Sequence, residues 1–273
     1  MADTAAAETR RPVLRTLWQK VWPPLLAIVI VLVLWQILAA SGWKPAYVFP
    51  GPEAVAENLG EQLTTPKFWK AVAVTMTRAI AGFAIAGVVG TVLGLLVSRS
   101  RVLRTAVGSL ITGLQTMPSI AWFPFAILLF GLSEQSIAFV ILIGAAPSIA
   151  NGVISGVDDV PPALIKTAHT LGARGVTMYA RVIVPAALPS YLAGLKQGWA
   201  FAWRSLMAGE LLVNIANRPS IGAQLSYFRD FANAAGLMGM MIVILVLGIL
   251  VDRVFGTIMT SVRARRGLGE VRL

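Results

Sequence analysis

The residues best able to do chemistry lie in one apolar segment, Ala186–Val213, "AALPSYLAGLKQGWAFAWRSLMAGELLV". It carries Lys196, Arg204 and Glu210, and charged residues at membrane depth are costly enough to mark candidate functional sites. At about 100° per residue in a helix, Lys196 and Arg204 are about 80° apart, and Lys196 and Glu210 about 40°. One face of the predicted helix is therefore polar and must meet protein or water.

Arg204 lies near the middle of this segment. Its planar, permanently charged guanidinium suits contact with a small anion. Two structural alternatives stay open, an Arg–Glu pair across a dimer and hydrogen bonds to backbone carbonyls. Trp199 and Trp203 stand one turn apart beside the polar face, where they either stack on a ligand or pack in the core. Glu210 completes the candidate pathway residues of this segment.

The stretch "TMPSIAW", Thr116–Trp122, is the second candidate. Proline interrupts a helix, and non-helical backbone at membrane depth occurs where it lines a cavity. Met117 and Ser119 are therefore candidate pathway residues, with a packing kink as the alternative. Two further cations in apolar segments, Arg78 and Lys196, lie close enough to the segment ends for their side chains to snorkel toward the interface.

The composition excludes several classes of protein. Only 13% of the 273 residues are charged, against about a quarter in soluble domains, and 57% are hydrophobic, which is typical of a membrane protein. The net charge of +11 does not indicate nucleic acid, because the basic residues sit beside apolar segments. There is no cysteine, and the single His169 cannot build a metal site. No Gly-x-x-x-x-Gly-Lys-Ser/Thr loop occurs, so we expect neither ATP hydrolysis nor a bound cofactor in this chain.

Six apolar segments are long enough to cross a hydrocarbon core of about 30 Å as helices. They are Val21–Ala40, Ala71–Val97, Leu103–Gly131, Gln135–Ser155, Ala186–Val213 and Gly236–Thr260. The sequence therefore predicts an all-α membrane protein with a tail at 1–20, a first transmembrane helix at 21–40, a core at 71–260 and a second tail at 261–273. Pro118 and Pro124 leave open whether the third segment is one kinked helix or two.

Two of these segments carry further signals. The first is longer than the apolar region of a usual signal peptide, so we interpret it as a retained anchor helix. The second places small residues every four positions, at Gly82, Ala86, Gly90 and Gly94. This spacing predicts close helix packing and not a substrate contact.

The distribution of Lys and Arg predicts the orientation, because cytoplasmic connections carry an excess of both. Fourteen flank one set of alternating connections: Arg10, Arg11, Arg15, Lys20, Arg99, Arg101, Arg104, Lys166, Arg174, Arg181, Arg263, Arg265, Arg266 and Arg272. The opposite set holds five: Lys44, Lys67, Lys70, Arg218 and Arg229. We therefore expect a multi-pass membrane protein, in contact with lipid, with both termini in the cytoplasm.

The longest cytoplasmic connection, Gly156–Pro189, reads as two short amphipathic helices. Prolines after an acidic pair suit a helix start, and apolar residues then recur at helical spacing: Leu164, Ile165, Ala168 and Leu171. Gly172 and Gly175 allow a sharp turn. A second helix is predicted to carry an apolar side made of Val176, Tyr179, Val182 and Ile183, with Pro185 and Pro189 ending it and starting the next span.

We call residues 160–184 the knob. A helix pair of this kind fills a groove on a partner protein, lies on lipid, or is an ordinary ordered loop. The pattern alone does not separate these alternatives. The residues from Lys166 to Pro189, "KTAHTLGARGVTMYARVIVPAALP", favour the partner groove, because they resemble the signature of a known family.

This stretch resembles the cytoplasmic signature of the permease subunits of binding-protein-dependent ABC importers. That signature reads Glu-Ala-Ala, three residues, Gly, then about nine residues, a hydrophobic residue and Leu-Pro. Lys166 and Thr167 stand where the family usually has Glu and Ala. The resemblance implies a type I importer permease fold with six transmembrane helices and cytoplasmic coupling helices. It also implies a set of ATPase-coupling residues: Leu164, Ala168, Leu171, Gly172, Ala173 and Pro185.

The likeness extends over roughly Trp35 to the C-terminus. The stretches "VFPGPEAV", "MPSIAWFPFAILLFGLSEQS" and "AGELL" are similar to the nitrate, sulfonate and taurine subgroup. The resemblance implies a bacterial cytoplasmic (inner) membrane as the location. It also implies two ATPase subunits that bind ATP and Mg²⁺, a periplasmic or lipid-anchored substrate-binding protein, and a second permease copy, which makes a homodimer. The alternative is an ion- or proton-coupled secondary carrier acting alone. Such carriers usually show internal repeats and several buried acids, whereas only Glu210 and Asp252 lie in these segments.

Overall fold

The computed structural model describes residues 13–265, and within that range it contains eleven α-helices and no β-strand. The helices are α1 Val13–Ala40, α2 Pro52–Leu63, α3 Pro66–Ser98, α4 Arg101–Thr116, α5 Phe123–Phe130, α6 Glu134–Asp158, α7 Pro162–Thr170, α8 Gly175–Met178, α9 Val184–Leu212, α10 Ile221–Asp230 and α11 Ala234–Arg265. Residues 1–12 and 266–273 of the two predicted tails lie outside the described residues.

Five of these helical stretches are long and apolar enough to cross a membrane, and a bent pair makes a sixth candidate. The pair consists of α4 and the continuation from Ser119 to Phe130, which meet at 99°. The predicted segment Leu103–Gly131 is thus two helices with a break. Proline disfavours helical backbone in the residue before it, and Met117 is extended there, with ψ of 127°.

Helices α3, α6 and α9 form the buried core. The Gly152 and Gly194 backbones touch, because a Cβ added to Gly152 would lie 2.6 Å from the Gly194 Cα. The predicted close packing of the glycine row in α3 is confirmed, since three of its glycines lie directly against α6 side chains or backbone: Gly82, Gly90 and Gly94. These contacts leave no room for side chains, so the three helices make one rigid unit.

The molecule has two distinct ends. At one end, Arg104 pairs with Asp158 and donates to the Ser98 carbonyl at 2.9 Å, beside the knob. At the opposite end, α2 and α10 cover the start of α3 and the end of α9. The sequence did not predict these two short helices, because neither contains an apolar stretch long enough to stand out as a span. We refer to the two as the knob end and the α10 end.

A glycine turn shapes the knob. Helix α7 ends at a Schellman motif, in which Gly172 has φ of +84° and donates to the His169 carbonyl, while Ala173 donates to that of Ala168. Ala168 and Ala173 also meet in a small apolar cluster with Met178 and Ile183. The sequence thus predicted the turn, whereas the contact of Ala173 with Ala168 is a finding of the structure.

The second half of the knob differs from the prediction in two ways. Val176 is 84% exposed and Met178 is buried in its place, because α8 is only one turn long and its inward face is set by the knob's own core. The helix also does not end at Pro185. A π-helical segment, Tyr179–Ile183, joins α8 to α9. Its hydrogen bonds span five residues instead of four, and the segment ends just before Pro185, which has no N–H to donate. Residues Gly175–Leu212 are therefore one continuous helix.

Candidate functional site

A cavity of about 320 Å³ opens at the break between α4 and α5. We call it the break cavity. It brings together three residues that the sequence singled out, Met117, Ser119 and Arg204, together with Gln115 and Phe201. Backbone that leaves helical geometry at Met117 and Pro118 forms one wall, and α9 forms the opposite wall.

Side-chain hydrogen bonds hold the broken helix against the core. The Ser205 hydroxyl lies 2.8 Å from that of Ser119, which fixes the residue just after the break to α9. One turn before the break, the Gln115 amide donates to the Ser148 hydroxyl at 2.8 Å and accepts from the Asn151 amide at 2.6 Å. These polar contacts position the break, because each would cost free energy if left unpaired at membrane depth.

Arg204 is exposed on α9 and lines two cavities. Its guanidinium lies 5.5 Å from the centroid of the Phe201 ring. It forms no ion pair with any side chain that the structure describes. A planar cation with free donor positions is the chemistry that binds an oxyanion through two parallel N–H···O bonds.

The second cavity, about 620 Å³, lies between α9 and α11 and is lined by Trp199, Trp203 and Arg204. The two indoles stack with centroids 6.3 Å apart and 19° between planes. Trp199 is buried and also contacts Phe83 and Phe255, so it packs in the core, whereas Trp203 is half-buried at the cavity wall.

Lys196 lies about one helical turn before Trp199 on α9, and its side chain pairs with helix α11. Its ammonium is 3.1 Å from an Asp252 oxygen of α11. Both side chains stay partly exposed, at 37% and 57%. The pair therefore adds little stability by itself, but it links α9 to α11 at the cavity end.

Glu210 lies in a buried network and lines none of the cavities described here. Its carboxylate accepts from the Thr75 hydroxyl at 2.9 and 3.0 Å, from Arg78 at 2.9 Å and from the Gly222 amide at 3.0 Å. Arg78 also donates twice to Glu134, at 2.6 and 2.7 Å. The snorkelling interpretation of Arg78 is wrong, because two carboxylates hold its side chain at 8% exposure.

The knob presents an apolar surface outward. Leu164, Leu171 and Val176 are exposed, and the last two are more than four-fifths exposed. Ala168 and Ala173 face the knob's own cluster, and Pro185 lies in the first turn of α9. Three exposed apolar side chains on a rigid two-helix turn make a surface fit for a partner groove.

A family model described as "Binding-protein-dependent transport system inner membrane component" matches residues 86–263, which include the broken helix, the knob and α9. The chain belongs to this family. The resemblance inferred from the knob sequence is confirmed, and the permease is a membrane transport subunit with an all-α importer fold.

Relatives of the permease cover most of its length. It is 36% identical to a putative ABC transporter permease of Methanocaldococcus jannaschii, over 86% of each chain. It is 29% identical to the putative aliphatic sulfonates transport permease SsuC of Escherichia coli, over 81% of this chain and 83% of that one. It is 28% identical to the nitrate import permease NrtB of a Synechocystis species, over 86% of each.

A solved structure shares the fold of the permease. A chain of the MetNI methionine ABC transporter, in an inward-facing conformation, matches with a TM-score of 0.54 and 22% identity. The match covers 71% of the permease and 93% of that chain.

Sequence reasoning missed part of the site. Gln115, Ser148 and Asn151 carry no charge, and their spacing gives no sign that they meet. Arg78 was noticed, but its partners lie 56 and 132 residues away along the chain. In the described part of the permease, no three acidic or histidine side chains come together as metal ligands would.

Proposed function

We propose that the permease forms the membrane path of an ATP-driven importer for a small oxyanion, such as nitrate, an aliphatic sulfonate or taurine. The observation that carries this proposal is Arg204, whose guanidinium lines the break cavity and has no ion pair with a described residue. A cation at this depth is costly unless a counter-charge visits it, and a transported anion supplies one.

The relatives support the class of substrate. Aliphatic sulfonate and nitrate are the solutes named for two of them, and both are small anions whose charge is spread over oxygens. A guanidinium matches such oxygens in pairs, which an ammonium does not do. Met117, Ser119 and Trp203 complete the proposed path, as lining residues that offer little charge of their own.

The proposed partners are taken from the family, and their positions from the knob end and the α10 end of the molecule. Two ATPase subunits, which bind ATP and Mg²⁺, would dock on the exposed leucines and valine of the knob, and a binding protein would deliver the solute at the α10 end. A second permease copy would complete the path. The excess of Lys and Arg at the knob end supports a cytoplasmic knob and cytoplasmic termini.

The continuous helix Gly175–Leu212 gives a physical route for coupling. It runs from the knob to Arg204, roughly 40 Å along its axis at 1.5 Å per residue. Because α9 packs backbone to backbone on α6, a displacement of the knob by the closing ATPases would move both helices together. The wall of the break cavity would move with them, as alternating access requires.

Transport assays of Arg204 variants test the proposal. Loss of a hydrogen bond to a charged group costs about 1.5–3 kcal/mol, so Arg204→Ala is expected to lower nitrate or sulfonate uptake by roughly ten- to a hundredfold. Arg204→Lys keeps the charge but cannot form two parallel hydrogen bonds, so its uptake rate is expected to lie between those of the wild type and Arg204→Ala. The exposed Lys44, changed to Ala, is the control. Full uptake by Arg204→Ala, with normal ATPase activity, would remove Arg204 from the path.

A further inference from the structure

An apolar cavity lies at the knob end, between α3, α6 and the helix that joins the knob to α9. It has a volume of about 200 Å³, and no polar atom is exposed on its walls. Each of the three helices contributes aliphatic side chains to the lining, among them Leu95, Val157 and Leu188. An apolar cavity of comparable size stays free of water and accepts an apolar molecule. We call it the knob-end cavity.

A hydrogen bond between two helices marks the end of this cavity that points toward the middle of the spans. The Thr91 and Tyr191 hydroxyls lie 2.9 Å apart and satisfy each other, so they require nothing of an occupant. Helix α3 runs toward the knob end and α9 runs away from it, so Leu95 and Leu188 line the cavity on the knob side of this bond. A hydrocarbon chain that enters from the knob end would therefore stop at the two hydroxyls.

The α3 wall of the cavity belongs to an exposed apolar face that ends in a cation. Val88, Val92 and Leu95 are all exposed on this face, and α3 is one of the helices long and apolar enough to cross a membrane. Arg99, the C-cap of α3, follows Leu95 by four residues. It therefore lies on the same face, about 6 Å nearer the end of the span.

Arg99 is the cation available above the cavity. It is exposed and has no ion pair with a described residue, whereas the nearby Arg104 pairs with Asp158. Tyr179 of the π-helical segment lines the cavity from the opposite wall and is 39% exposed, as tyrosines at a membrane–water interface commonly are. A cation and a phenol above a dry apolar cavity complement a phosphate headgroup above an acyl chain.

We propose that the knob-end cavity binds an anionic phospholipid, whose acyl chain enters the cavity and whose phosphate pairs with Arg99. The direction of the site matches that of a lipid in a bilayer, because the cation lies at the end of the span and the closed end of the cavity points toward the middle. One wall of the cavity belongs to the π-helical segment Tyr179–Ile183. A bound chain would supply the packing contacts that this join lacks. The inference concerns a lipid and does not depend on the identity of the transported solute.

Lipid retention tests the site. The purified permease is stripped of lipid in detergent and titrated with dioleoyl phosphatidylglycerol or dioleoyl phosphatidylcholine, and native mass spectrometry counts the lipids bound. We expect phosphatidylglycerol to be retained at concentrations at which phosphatidylcholine is not. Dihexanoyl phosphatidylglycerol, with the same headgroup on short chains, should be lost. Equal retention of the two headgroups, or of the short and long chains, would overturn the proposal. Retention of neither lipid would also overturn it, because a protein surface such as a second copy would then cover the cavity.

Two matched pairs of variants locate the bound lipid. Arg99→Gln removes the partner of the phosphate and is expected to raise the Kd for phosphatidylglycerol roughly fivefold, the effect of one arginine beside an anionic lipid. Arg181→Gln removes an exposed arginine on the side of the π-helical segment away from the cavity and should leave the Kd unchanged. Leu95→Trp fills the cavity and should lower retention, whereas Leu96→Trp adds the same ring to an exposed position of α3 outside the cavity and should not. A wild-type Kd in either Arg99→Gln or Leu95→Trp would overturn the site.

Discussion

Arg78 and Glu210 show how single charged residues can be structural rather than catalytic within a membrane span. Each is enclosed and each has at least two charged or hydroxyl partners at hydrogen-bond distance. Arg204 differs because its guanidinium has no ion pair with a described residue and lies over the face of the Phe201 ring. The number of partners, and not the presence of charge, separates the residue that holds the fold from the residue available to a solute.

Arg78→Ala is predicted to destabilise the permease strongly. Removing one partner of a buried pair leaves the Glu210 charge uncompensated and costs about 3–5 kcal/mol. The midpoint of thermal unfolding in detergent should fall by several degrees or more, while Arg78→Lys should recover part of the loss. Arg253→Ala, an exposed arginine of α11, is the matched control and should leave the midpoint unchanged. Equal midpoints for Arg78→Ala and wild type would contradict the role of the network.

The sequence predicted part of this residue-scale account. Arg204 stood out because a cation in the middle of an apolar segment is rare. That it has no ion pair among the described residues did not follow, because the sequence left open an Arg–Glu pair across a dimer and hydrogen bonds to backbone carbonyls. Helical geometry places two residues on one face, but only tertiary packing brings α3 to Glu210 and leaves Arg204 at a cavity.

The knob is the element that most depends on one backbone conformation. Gly172 stands at φ of +84° with open space around it, so a side chain would meet strain and no clash. A left-handed conformation costs a residue with a Cβ about 1–2 kcal/mol. The free knob would relieve that strain by opening the turn, and docking would have to close it again.

Gly172→Ala is accordingly predicted to weaken ATPase binding by roughly five- to thirtyfold. Co-purification or titration of the ATPase against the reconstituted permease measures the change. Gly87→Ala adds the same methyl group in open space on helical backbone of α3 and should bind the ATPase normally. Gly172→Ala with wild-type affinity would show that the turn is not needed for docking.

Element boundaries were predictable where proline or glycine chemistry is local. The Schellman turn and the helix break at Pro118 both follow from a residue and its immediate neighbours. The π-helical join was not predictable, since proline usually ends a helix and the sequence offers no sign of the wider hydrogen bonding before Pro185. Helices α2 and α10 were missed because tertiary contacts, and not a long apolar pattern, hold them in place.

At the scale of the whole molecule, α9 joins every functional feature. Its N-terminal extension is part of the knob, and its C-terminal third carries both Arg204 and Glu210, of which Glu210 binds the first turn of α10. The core of α3, α6 and α9 is rigid through its glycine contacts. A structure of this kind suits transmission between its two ends, which is the requirement of a subunit that receives solute at one end and mechanical work at the other.

The central claim is tested most directly by transport in proteoliposomes. They would contain the permease with its ATPase, loaded with ATP and Mg²⁺ on the ATPase side, and labelled nitrate or sulfonate would be added outside with the binding protein. The account predicts uptake that needs both ATP and the binding protein and that does not respond to an imposed ion or proton gradient. Uptake by the permease alone, driven by such a gradient, would contradict the account and indicate a secondary carrier.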